Sequence, residues 1–124
     1  KGAHTKWRGI LAINKNHSNL KLLAQFLAKN GFQTLGVSSL EEVDQALAGT
    51  IEIGLALVDI TGFDRSIWER CELLREQSIP LIVISPKQSV DIRQESLAHG
   101  AHSMLIKPLI TKELLGVIRH LLEQ

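Results

Sequence analysis

Gly54-Leu55-Ala56-Leu57-Val58-Asp59 is a run of small and apolar residues that stops abruptly at a carboxylate. It shows no polar–apolar alternation. A strand reads this way when helices cover both faces of a parallel sheet. Leu81-Ile82-Val83-Ile84, followed by Ser85, reads the same way. Three further apolar runs, at 10–13, 33–37 and 103–106, bring the total to five.

Between the runs lie helical patterns with their own punctuation. Ser18 is placed to cap a helix carrying Leu20, Leu22, Leu23, Phe26 and Leu27, and Asn30-Gly31 ends it. Ser39 with Glu42 three residues on is a capping-box signature, closed by Gly49. Asp64 is placed to cap the third, with a stripe of Ile67, Cys71 and Leu74. The fourth pattern, 90–99, is the weakest amphipath and ends at Gly100. Thr111 is placed to cap the last, with Leu114, Leu115, Ile118, Leu121 and Leu122. Strand–helix alternation at this spacing implies right-handed crossovers and an α/β domain with a parallel sheet. Residues 9–124 are expected to form one domain, with 1–8 as a linker or cloning remnant.

Composition narrows the class. The chain has 124 residues, 44% of them hydrophobic and 22% charged, with a net charge of +1. This is ordinary for a globular domain with a real core, and it carries no clustered basic face of the kind nucleic acid requires. Cys71 is the only cysteine, so no internal disulfide can form. No apolar run approaches a membrane span. A cytoplasmic protein without nucleic-acid or membrane partners is expected.

In open α/β sheets, ligands meet the carboxyl ends of the strands. There the sequence places Asn14 and Lys15 after the first run, Asp59 and Thr61 after the third, Ser85 after the fourth, and Lys107-Pro108 after the fifth. A carboxylate, a hydroxyl and an ammonium can converge on one pocket.

This ordered set, with the phrase Asn16-His17-Ser18-Asn19-Leu20-Lys21-Leu22-Leu23, resembles the receiver domains of response regulators over essentially Arg8 to Gln124. The resemblance implies a flavodoxin-like (βα)5 doubly wound sheet in the order 2-1-3-4-5. It also implies that Asp59 is the phosphoacceptor position, that Ser85 and Lys107 contact the phosphoryl oxygens, and that an acidic pair after the first strand holds Mg²⁺. Partners would be a histidine kinase, an output domain or a second receiver, with possible homodimers through the face of helix 4, strand 5 and helix 5. That region carries Arg93, Glu95, His99, Lys112, Arg119 and His120.

The chain departs from the pattern at the metal. Asn14 and Lys15 stand where the acidic pair belongs. Two unit charges about 4 Å apart interact by roughly 4 kcal/mol at an effective dielectric of about 20, and reversing one sign turns that attraction against the cation. Met104 occupies the family's aromatic switch position, three before Lys107. The expectation is a pseudo-receiver: no enzyme, no resident cofactor, impaired phosphorylation of Asp59, and action through protein–protein contact. With no metal, Asp59 should take a cation, and Lys15 is expected to supply it across the pocket. The alternative is an active, Mg²⁺-dependent phosphoreceiver.

Other classes lack their signatures. No Gly-x-Gly-x-x-Gly fingerprint is present, and residues 14–19 lack the Gly and Thr of a flavin phosphate loop. His99 and His102 straddle a helix end without Cys or carboxylate companions and read as helix-end cations rather than metal ligands. Cys71 reads as a core thiol, Trp68 as an exposed contact residue, and His17 as a turn residue.

Overall fold

Alternation along the strands divides the interior in two. The computed structural model describes residues 9–123; the expected leading linker, 1–8, lies outside them. The elements are β1 (Gly9–Ile13), α1 (His17–Lys29), β2 (Thr34–Val37), α2 (Leu40–Ala48), β3 (Ile53–Asp59), α3 (Ser66–Glu76), β4 (Leu81–Ser85), α4 (Val90–Ala98), β5 (Ser103–Ile106) and α5 (Thr111–Leu122). The five strands are parallel in the order β2-β1-β3-β4-β5. This is the doubly wound, flavodoxin-like sheet expected from the sequence.

Leu11, Ile13, Ala56, Val58, Leu81 and Val83 point to one face and pack with Val43 of α2 and with Ile67, Trp68, Cys71 and Leu74 of α3. Their neighbours Ile10, Leu55, Leu57, Ile82, Ile84 and Leu105 point to the other, against Leu27 of α1 and Leu114, Ile118 and Leu121 of α5. Successive side chains on a strand leave on opposite faces. Both faces of β3 and β4 are therefore apolar, which is why these runs show no alternation in sequence.

Helix starts differ from the sequence reading in three places. Asn16, not Ser18, caps α1, its side chain accepting from the Asn19 N–H, and His17 is the first helical residue instead of a turn residue. Its Nε2 lies 3.2 Å from the Ser38 hydroxyl. Thr111 is the first residue of α5 and not its cap. Asp64 stands two residues before α3, where its carboxylate accepts the N–H and the hydroxyl of Ser66. Those bonds hold its carboxyl below the usual range. At α1 two polar residues stand within two positions of the start, so spacing alone does not choose between them, while the cap positions of α3 and α5, Arg65 and Ile110, make no side-chain cap bond. At α2, Ser39 accepts from the Glu42 N–H as expected, but Glu42 reaches back to the Ser38 N–H.

Trp68 is buried rather than exposed, 8% accessible. Its ring stacks on His99, the C-terminal cap of α4, at 5.7 Å between centroids and 22° between planes. α4 is the weakly held element the sequence suggested: Ser96 is its one buried residue, while Val90 and Leu97 lie open. Among the described residues no helix is long and apolar enough to cross a membrane.

Cys71 is 1% exposed, and burial pushes its thiol up to about 12, with Glu72 adding to the rise. Only the thiolate is nucleophilic. The native protein should therefore resist an aromatic disulfide reagent at mildly alkaline pH and react promptly once denatured; fast native labelling would contradict this packing.

Candidate functional site

The carboxyl ends of β1, β3 and β5 bring three sequence-predicted residues onto the α1–α5 side of the sheet. Asp59 continues the outward series of Leu55 and Leu57 on β3, and Lys107 continues that of Leu105 on β5. Asp59 is 4% exposed. A carboxylate so deep needs compensation, and it has three donors. Lys107 Nζ lies 2.9 Å from Oδ2 and 3.2 Å from Oδ1. Asn14 Nδ2 donates to Oδ2 at 3.2 Å, and the Thr61 N–H to Oδ1 at 3.0 Å. Lys107 also donates to Thr61 Oγ1 at 2.9 Å, so its three protons have three acceptor atoms. The Lys107-Pro108 peptide bond is cis.

Lys15 does not pair with Asp59. The residue after Asn14 leaves on the opposite side, toward α2 and α3, and its Nζ lies 5.2 Å from the centroid of the Phe63 ring. The Thr61-Gly62-Phe63 turn makes this contact possible: Gly62 has φ +83°, and the Phe63 N–H bonds to the Ile60 carbonyl at 3.1 Å. The same alternation removes Ser85 from the Asp59 cluster. It follows Leu81 and Val83 toward α3, is fully buried, and donates its hydroxyl to the Lys87 carbonyl at 2.7 Å. Met104 packs half-buried on that side, its sulfur 3.9 Å from the Ser96 hydroxyl, which itself donates to the Ile92 carbonyl at 2.6 Å.

The donor set bears on a metal. Both Asp59 oxygens already accept, Asn14 Oδ1 accepts from the Asn16 N–H at 2.8 Å, and position 15 offers a cation. Mg²⁺ needs a near-octahedral shell of oxygens, usually anchored by carboxylates. Among the described residues no three His, Cys, Asp or Glu side chains are grouped to hold a metal.

Two cavities adjoin the cluster. One, of 310 Å³, opens between the β1–α1 and β3–α3 loops and includes Lys15, Asn16 and Gly62 in its wall. The other, of 330 Å³, runs between α1 and α5 under Leu22, Phe26 and Leu109. Sequence reading missed Asn19, which lines both. Its position one turn into α1, facing the strand ends, was the available signal.

On the α4–β5–α5 side, Glu95 and His99 turn toward α3. Glu95 pairs with Arg65 at 3.3 Å and His99 stacks on Trp68. Of the residues expected on that face, Arg93, Lys112, Arg119 and His120 are exposed.

No family model matches the chain. It is 30% identical over 121 residues to the transcriptional regulatory protein GltR of Pseudomonas aeruginosa, covering 94% of this chain and 50% of that protein. It is 24% identical over 115 residues to the heme response regulator HssR of Staphylococcus saprophyticus, covering 92% and 51%. The chain thus spans about half the length of these curated relatives. Among solved structures, a CheY-like response regulator receiver domain protein of Methanospirillum hungatei superposes with a TM-score of 0.83 at 23% identity, covering 95% of each chain.

Removing the ammonium from this cluster should strand a buried charge. Lys107→Met is expected to cost about 1–3 kcal/mol in urea unfolding. Adding Asp59→Asn should recover most of that loss, because it removes the stranded carboxylate. Simple addition of the two single losses would show that the groups are uncoupled.

The described residues have the fold of response-regulator receivers, and over nearly its whole length the chain is similar in sequence to about half of a response regulator.

Proposed function

We propose that the chain is a signal-transduction receiver module of the response-regulator type that works through protein–protein contact, with phosphorylation of Asp59 impaired. The observation that carries this reading is the state of the acceptor carboxylate. Lys107, Asn14 and Thr61 satisfy it from within the protein, while position 15 presents an ammonium where a metal ligand would stand. Mg²⁺ does not fit this donor set. Phosphoryl transfer to a carboxylate depends on cations bridging the transferring oxygens, so the site lacks its main source of rate. Nothing in the cluster suggests an enzyme acting on a separate substrate, and a cytoplasmic setting suits the reading.

A second reading, an active phosphoreceiver, draws on the Lys107–Asp59–Thr61 arrangement, which supplies an acceptor, a cation and a hydroxyl within hydrogen-bond distance. Intact mass after incubation with a small phosphodonor separates the two. The proposal expects an unchanged mass with and without Mg²⁺. A Mg²⁺-dependent gain of one phosphoryl group, lost in Asp59→Asn, would establish the second reading instead.

The partners would be a histidine kinase, an output domain or a second receiver, and the α4–β5–α5 side is the proposed contact, including any homodimer. Val90 and Leu97, both open and seven residues apart on α4, add apolar area to the exposed Arg93 and Arg119. Charges on such a rim act mainly on specificity and association rate. Charge reversal at Arg93 and Arg119 together should weaken self-association or partner capture, measured by sedimentation and pull-down; unchanged association would exclude this face.

A further inference from the structure

We propose that the two cavities beside Asp59 form one binding site for a small amphipathic anion, with its oxyanion head in the cleft at the strand ends and its apolar body between α1 and α5. The inference goes beyond the interaction module above and does not depend on which protein the domain meets.

The cleft is walled by amides and ammonium groups. Lys15, Lys107, Thr61 and the amides of Asn14, Asn16 and Asn19 line it, and among the described residues no carboxylate does. Asp59 lies below, its charge matched by Lys107. Asp64 feels the Lys15 ammonium, but its oxygen is held by Ser66. Lys15 is thus a cation held by an aromatic face and not by a close carboxylate partner, and such a contact at an exposed site is weak. It can swing to an anion in the cleft. Asn14 has a second amide proton beyond the one given to Asp59.

The neighbouring cavity is of the opposite kind. Its apolar walls come from Leu22, Leu23, Phe26, Leu109 and Leu114, with Asp59, already paired with Lys107, also in its lining, and at 330 Å³ it lies within the size range of small-molecule sites. Asn14, Asn19 and Lys107 belong to both walls, so the polar cleft and the apolar cavity meet at these three side chains. A phosphate or carboxylate alone would use only the first, and a neutral hydrocarbon only the second. A molecule joining them buries apolar area while its head meets amide and ammonium donors. Binding there would place a ligand beside Asp59, at the position from which a phosphoryl group would otherwise act.

Three probes test this with the purified protein: octyl phosphate, inorganic phosphate and octanol, each titrated while following the Asn14 and Asn19 side-chain amides and the Leu23 and Leu109 methyls by NMR. Octyl phosphate should move both sets and bind at least tenfold more tightly than either fragment, since each buried methylene is worth roughly a fourfold gain. Octanoate in place of octyl phosphate distinguishes a carboxylate from a phosphate head, and either result supports the site. Lys15→Glu should weaken octyl phosphate about tenfold and leave octanol unchanged; Leu109→Ser should weaken both alkyl probes and leave inorganic phosphate unchanged. Both positions are off the strands, and far-UV circular dichroism checks the fold. Equal affinity for octyl phosphate and either fragment would overturn the joint site, as would shifts confined to one set of resonances or no saturable shift at all.

Discussion

The end of β3 imposes the constraint from which the rest of the site follows. β3 is the central strand, buried on both faces, and it terminates in a carboxylate that is 4% exposed. A charge in that position cannot stand alone. The protein's own donors meet the need. Lys107 comes from the end of β5, Asn14 from the end of β1, and the Thr61 N–H from the turn that follows β3. These contacts tie the C-terminal ends of three strands and the β3–α3 loop into one cluster. Lys107 closes it through Thr61 Oγ1.

Side-chain alternation then decides what is left over. Positions 14, 59 and 107 leave on the α1–α5 side, while 15, 85 and 104 leave on the other. Lys15 is carried away from Asp59 and comes to rest over Phe63. Ser85 is carried toward α3, where a fully buried hydroxyl must find an acceptor and takes the Lys87 carbonyl. Met104 joins the packing near Ser96. The Ser85 hydroxyl is thus engaged, and position 104 carries a thioether and not a ring. Position 15 presents an ammonium to a cleft in whose lining, among the described residues, no carboxylate stands.

Much of the architecture was legible because it rests on pattern. Five apolar runs predicted five strands, with β5 exact and the others within two residues at either end. The strand order came from the resemblance, and the structure shows it. The weakness of α4 was visible in its lack of an apolar stripe. What was not legible depended on proximity. Two cations, Lys15 and Lys107, both followed strand ends, and distance in sequence favoured neither. The period of two did favour one, because Lys107 shares parity with Leu105 and Lys15 does not share it with Ile10. Trp68 was read as exposed because it sits beside the Ile67–Cys71 stripe; His99, from a different helix, covers it. The cap of α1 went astray where two polar residues stood near the same N–H groups, and those of α3 and α5 because no side chain caps either helix.

The proposed function rests on one claim: that the protein donors meeting Asp59 leave no place for a divalent ion. The most direct measurement is a Mg²⁺ titration followed through the backbone amides of Asp59, Ile60 and Thr61. The account predicts only small, linear, non-saturating shifts, with the Thr61 N–H remaining bonded to Asp59 throughout. Saturation at low millimolar Mg²⁺, with displacement of the Thr61 and Lys107 resonances, would contradict it.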